Sequence, residues 1–375
     1  MAVAPQRGHC PVRRFVWIIA TQACPLPLNN FKDQLRSTDG DGLNDFEEDR
    51  LANRFAPVIY HGQCEPNYPV SVDWLLARVS LSEYDNQAAP AKRLLAAKLN
   101  AQAELLNHEF AAGNVEQKIA SSKSYSVCKR TTYFLTSVAR GDQLGERNNP
   151  ADWITYVHSY PNKLGGVTLQ YWRGYAYNAA SALGIDFSHG GDWEAVAVHL
   201  DAALRPATVA LFGHTGIEYH RDDLQWEGEH PCIWSEEGGH ASRPNSQGLR
   251  STKFTRQETW NGGRVTWWDG TVVGASGGLL NVGERSRPRN QQVFIQYAGL
   301  WGAPAHLFIT SGYWGPAFNE TGALCEDGSA AYRASPTCSA NPARCRRVFH
   351  KAWCDGMDEK KLDINAECYA ARHAP

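Results

Sequence analysis

Short segments rich in β-branched and aromatic residues, each closed by a glycine-rich turn, recur along most of the chain and constrain its fold more than any other feature. They run Thr131–Val138, Trp153–His158, Val167–Tyr177, Asp192–Leu200, Thr208–His214, Cys232–Ser235, Val265–Trp268 and Gln291–Tyr297. Such residues suit a pleated, half-buried surface, and the glycines between them supply the turns. No long helical pattern alternates with them, which disfavours a parallel βαβ sheet. A mainly β chain is expected, an antiparallel β-sandwich of jelly-roll-like form. The 13 Trp and 15 Tyr against 2 Met, with 33 Gly and 19 Pro, agree with a turn-rich β protein.

Two stretches depart from that pattern. Asp45–Phe55 reads as a short helix stopped at Ala56-Pro57. Leu95, Leu99, Ala103, Leu106 and Phe110 recur at three- and four-residue intervals, which predicts an amphipathic helix over Ala91–Phe110, inside an insertion at about 88–120.

The domain order expected from these patterns is a leader or weak signal-like segment at 1–30, a calcium-loop segment at 31–50, a β-sandwich at 51–320 and a disulfide-rich C-terminal extension at 321–375. Arg13-Arg14 before the apolar Phe15–Ala20, with small residues up to Ala23, gives the leader its signal-like order. Ten cysteines without any C-x-x-C spacing point to disulfides rather than to a zinc ribbon. Together with the sequon Asn319-Glu-Thr321 they favour a secreted or extracytoplasmic protein. A net charge of -2 offers no basic excess for nucleic acid. No apolar run reaches the roughly 20 residues of a transmembrane helix.

One local pattern carries metal chemistry outright. Ser37-Thr-Asp-Gly-Asp-Gly-Leu-Asn-Asp-Phe-Glu-Glu48 lays Ser37, Asp39, Asp41, the Leu43 carbonyl, Asp45 and Glu48 onto the first, third, fifth, seventh, ninth and twelfth positions of a calcium loop. Gly42 holds the sixth position, where the chain turns sharply. A hard cation wants six to eight oxygens in a flexible cage, and this spacing supplies them for Ca2+. The loop resembles those of dockerins and thrombospondin type 3 repeats.

A second cluster lies at His189-Gly-Gly-Asp-Trp-Glu194, which opens a strand. Alternation places Asp192, Glu194, Val196 and Val198 on one face and Trp193, Ala195 and Ala197 on the other. Two adjacent carboxylates repel unless a cation, a shared proton or donors compensate them. His189, Asp192 and Glu194 are therefore candidate ligands for a second divalent cation, with Ca2+, Mg2+ or Mn2+ favoured over Zn2+ by the oxygen-rich set. If His214 and His240 converge there, Glu194 becomes a candidate general base of a metal-dependent hydrolase. Trp260, Trp267 and Trp268 are candidates for exposed stacking.

Leu51-Ala-Asn-Arg-Phe-Ala-Pro-Val58, Glu65-Pro-Asn-Tyr-Pro-Val70, Tyr171-Trp-Arg-Gly-Tyr-Ala-Tyr-Asn178, His189–Glu194 and Gly239-His-Ala-Ser242 occur in an order that resembles the vacuolar protein sorting-associated protein 62 family over roughly Leu51 to Phe318. Ser188–Glu194 also resembles, more distantly, the signature heptapeptide of the necrosis- and ethylene-inducing-peptide-like proteins, Gly-His-Arg-His-Asp-Trp-Glu. His189, Asp192 and Glu194 match its metal-associated positions, Gly191 replaces its second histidine and Ser188 its leading glycine. That resemblance implies a β-sandwich with a divalent cation and a sphingolipid headgroup sugar as ligand. The function expected is a secreted, divalent-cation-dependent protein recognising a sugar or lipid headgroup at a cell surface. The alternatives are a metal-dependent hydrolase of a glycan, ester or phosphoester, and a structural envelope or scaffold protein.

Overall fold

The computed structural model describes residues 37–85, 92–96, 99–106, 131–162, 165–182, 185–186, 188–212, 216–284, 287–297 and 301–302, with short strands at Arg333–Ala334 and Arg347–Phe349. The leader-like segment, most of the helical insertion beyond residue 106, His214, Asn319, the five C-terminal cysteines and Cys10, Cys24 and Cys128 lie outside the described residues.

Two large sheets carry the architecture. One is ordered Trp226–Glu227, His230–Ser235, Val58–Gly62, Phe254–Glu258, Arg264–Thr266 and Val272–Ala275, with Ser242–Arg243 paired to His230–Ser235. The other is built around Thr155–Pro161, Val167–Asn178, His189–Leu200, Pro206–Phe212 and Gly216–His220. Their pairings are antiparallel with two exceptions among the described residues. Val58–Gly62 runs parallel to His230–Ser235, and Leu279–Asn281 runs parallel to Thr155–Pro161. The chain is mainly β as expected, and the sheets are mixed.

Alternation sorts the second sheet's side chains into two cores. Tyr156, Trp172, Trp193, Ala195 and Ala197 pack on one face against Leu75, Leu76, Phe294 and Trp301. Val157, Leu169, Tyr171, Val196 and Val198 pack on the other against Ile59 and Ile233 of the first sheet. Helix α1, Asp45–Phe55, joins this inter-sheet core through Leu51, Ala52 and Phe55. Asn44 caps α1 by accepting from the Glu47 N–H, and the Tyr171 hydroxyl donates to the Ala52 carbonyl at 2.9 Å. Burying Leu51 and Phe55 completely contributes about 1.5–3 kcal/mol each.

Two expected elements are replaced. Where Ala91–Phe110 was to be a helix, Lys92–Ala96 is a strand paired to Leu81–Asp85, and Gln102–Leu106 is a 3-10 turn. Among the described residues, Leu99 and Leu105, six residues apart, are the buried leucines here, while Ala103 of the periodic set is exposed, so burial does not follow the helical spacing. Gln291–Tyr297 is a 3-10 turn over Val293–Gln296 rather than a strand. Phe294 and Ile295 are both buried there, which a one-sided strand cannot achieve for neighbours. The disulfide expectation also fails for two residues: Cys64 is a free, exposed thiol and Cys232 a free, buried one. Burial and the nearby Glu227 carboxylate push the Cys232 thiol up to about 12.

Candidate metal centre

The loop before α1 folds as its glycines require, with φ of 91° at Gly40 and 96° at Gly42. Both residues lie in the left-handed region, and the turns bring Asp39 and Asp41 back toward the first turn of α1. One oxygen each from Asp39, Asp41 and Glu48 lie within 4.8 Å of one another. That is the span available to ligands about 2.4 Å from a shared calcium ion. Asp39 and Glu48 are buried, and Asp39 Oδ2, Asp41 Oδ2 and Glu48 Oε1 have no hydrogen-bond partner among the described residues. Burial raises Asp41 to about 6, with the Asp39 and Glu284 charges adding to it against the hydrogen bond from the Leu43 N–H. Burial, then the charges of Asp39 and Asp41, raise Glu48 to about 9 although Arg289 opposes them. Three crowded carboxylates, each with one buried oxygen that has no partner among the described residues, fit a divalent cation, which would take the place of the excluded water.

The remaining loop positions are engaged differently. The Ser37 hydroxyl stands 3.2 Å from Asp39 Oδ1 and 3.3 Å from Asp41 Oδ1, and accepts from the Gly40 N–H. The Leu43 N–H donates to Asp41 Oδ1 at 2.8 Å, which fixes that carboxylate. Asp45 turns away to Thr38, accepting from its N–H at 2.9 Å and its hydroxyl at 2.7 Å. Two residues that loop spacing could not reveal complete the surroundings. Asn281 Nδ2 and Arg289 donate to Glu48 Oε2 at 2.8 Å and 2.5 Å, leaving Oε1 to the cluster.

The second predicted cluster has another character. Asp192 and Glu194 do share the face that carries Val196 and Val198, toward the first sheet. Among the described residues, however, His189, Asp192 and Glu194 do not form a group close enough to hold an ion as the loop does. The His189 ring nitrogen Nδ1 lies 3.2 Å from the Gly191 carbonyl. Asp192 meets His240 instead: Nδ1 of His240 is 2.9 Å from Asp192 Oδ2, and its Nε2 is 3.4 Å from Glu65 Oε1. Burial alone would lower the imidazole, but the carboxylates of Glu65 and Asp192 outweigh it and raise His240 to about 9. The ring stacks on Tyr175 at 3.8 Å. Glu194 stands opposite Arg173 in register, and the Arg173 guanidinium donates to the Ser242 hydroxyl. The compensation that the sequence asks of a cation is thus supplied at Asp192 by an imidazolium. Glu65 appeared in the sequence only as part of a shared segment, with nothing to mark it as a partner of His240.

Of the tryptophans, Trp260 is stacked against His230 at 3.8 Å. Trp267 packs on Tyr68 and on Trp268, and Trp268 is 36% exposed. Tyr171, Trp172 and Tyr175 are buried core residues.

No family model matches the chain, and no curated protein matches it. The resemblance to the vacuolar protein sorting-associated protein 62 family therefore has no support beyond the segments that suggested it. Among solved structures the chain is similar to NLPPya in complex with mannosamine, at 14% identity and a TM-score of 0.31, over 64% of this chain and 75% of that one. It is also similar to NLPPya in complex with glucosamine, at 13% identity and a TM-score of 0.28, over 64% of this chain and 74% of that one.

Proposed function

We propose that this is an extracytoplasmic calcium-binding β-sandwich protein, with Ca2+ held by Asp39, Asp41 and Glu48 at the entrance to the domain. The observation that carries the reading is the crowding of Asp39, Asp41 and Glu48, with one oxygen of each within 4.8 Å of the others and one buried oxygen of each without a partner among the described residues. Arg289 on Glu48 Oε2 already offsets part of the negative charge, which tunes affinity downward. The range of extracellular modules, roughly 10⁻⁴–10⁻³ M, follows from that reduced charge. Calorimetric titration of chelator-treated protein tests it: Ca2+ binds and raises the melting temperature, and Asp39→Asn with Asp41→Asn abolishes both effects. Absence of binding heat together with an unchanged melting temperature would sink the reading.

A headgroup-recognition role is a second reading, favoured by Trp267 and Trp268 beside the turn between Arg264–Thr266 and Val272–Ala275. Trp268 presents an exposed ring to solvent, and the Arg147 guanidinium lies 5.2 Å from the Trp267 ring centre. An aromatic face next to a cation suits the apolar face of a sugar ring that bears an acidic substituent. On a glycan array, wild-type signal for acidic sugars should disappear in Trp268→Ala. A signal that survives the substitution, or none from the wild type, rules this site out.

A further inference from the structure

Glu284 lies far outside the twelve-residue loop, but the fold carries its hairpin onto that loop. Gly283–Glu284 pairs with Arg287–Pro288, and this segment touches the loop region at several points. The Arg287 side chain lies over Gly40, where an added Cβ would come within 2.8 Å of its guanidinium nitrogen Nη1. Asn281 and Arg289, on either side of the hairpin, both hold Glu48.

Glu284 itself is 2% exposed. His158 Nε2 lies 2.9 Å from Glu284 Oε1, while Glu284 Oε2 has no hydrogen-bond partner among the described residues. The charge of Glu284 acts on Asp41, one of the three converging carboxylates. Glu284 is not itself within the 4.8 Å group of Asp39, Asp41 and Glu48. Glu284 therefore stands outside the directly converging set, on a hairpin whose flanking residues Asn281 and Arg289 hold Glu48, and a residue so placed acts on an ion through a bridging water rather than by direct ligation.

The loop has an opening for such a residue. Its ninth position, which commonly contacts calcium through water, is Asp45. Both Asp45 oxygens are committed to Thr38, and the Arg289 guanidinium lies 3.8 Å from Oδ2. Asp39, Asp41 and Glu48 alone leave a cation that takes six to eight oxygens short of ligands. We propose that Glu284 serves the calcium site as a water-bridged ligand in place of Asp45, held in position by His158. The inference rests on the calcium reading above. It makes the site a composite of an N-terminal loop and a distant hairpin rather than a self-contained motif.

Calorimetric Ca2+ titrations of wild type, Glu284→Gln and Asp45→Asn test it. Glu284→Gln keeps the shape and can still contact His158, yet loses the charge. The expected result is a dissociation constant weakened roughly ten- to a hundredfold in Glu284→Gln, and little change in Asp45→Asn. Melting temperatures in chelator are measured alongside, because a merely structural Glu284 would lower them without moving the dissociation constant. Equal Ca2+ affinity for wild type and Glu284→Gln overturns the proposal while the calcium reading stands. Wild-type protein that binds no Ca2+ removes both.

Discussion

His240 illustrates at the scale of one residue how this fold handles buried charge. Its backbone lies at φ 57°, in the left-handed region, within a Gly-Gly-His turn that aims the ring between two sheets. Asp192 faces it from the His189–Leu200 strand, Glu65 from the segment after Val58–Gly62, and Tyr175 stacks on its face. His61, from the first sheet, feels its charge and is lowered by burial to about 3. Burial lowers both histidines, and their net shifts are opposite because only His240 has carboxylates against it. A folded value near 9 against an ordinary 6.5 means that the His240 contribution is complete below pH 6.5 and fades as pH rises toward 9. The amount is on the order of 3 kcal/mol. At fixed calcium, an NMR titration should place the His240 imidazole midpoint near 9, with His61 neutral from about pH 5 to pH 8. Denaturant midpoints should decline across the same alkaline window. A His240 midpoint at or below 6.5 would contradict the ion-pair account.

At the scale of elements, the most legible part of the sequence was the His189–Leu200 strand. A period of two in Asp192-Trp-Glu-Ala-Val-Ala-Val198 assigns its faces, and both cores follow that assignment. Helix α1 was legible through its stop at Ala56-Pro57, and the structure adds the Asn44 cap at its other end. What escaped was set by partners remote in the chain. The parallel pairing of Val58 with Cys232 leaves no local mark, because hydrophobic runs look alike whichever way a neighbour points. The false helix at Ala91–Phe110 failed because its spacing did not track burial: Leu99 and Leu105 are the leucines buried there, reached by a strand and a 3-10 turn that leave Ala103 exposed. Gly191 supplies the clearest case of tertiary control. It stands where the resembling signature has a histidine, and at φ 62° a Cβ there would come within 2.0 Å of the Trp301 carbonyl oxygen. No side chain fits that place, so the departure from the signature follows from packing against Trp301.

Across the whole molecule, the loop that carries Asp39 and Asp41 is joined to the sandwich by more than chain continuity. Arg289 bridges Glu48 and Asp49, and Asn281 donates to both, so the first turns of α1 are tied to the segment from 279 to 289. That segment is in turn fixed to the large sheet where Leu279–Asn281 pairs with Thr155–Val157. Glu284 extends the connection to His158 on the same sheet strand. Without a cation, Asp39, Asp41 and Glu48 crowd the point where these elements meet, and burial together with that crowding raises Glu48 to about 9. A ligand that binds only the closed arrangement should therefore stabilise all the elements that close it. Hydrogen exchange with and without Ca2+ tests this coupling. Protection should rise together in 37–48, in Asp45–Phe55 and in the segment from 279 to 289, while the His189–Leu200 strand, buried along its whole length, should stay as protected as before. Protection confined to residues 37–48 would show instead that the loop binds calcium on its own, with the hairpin as a bystander.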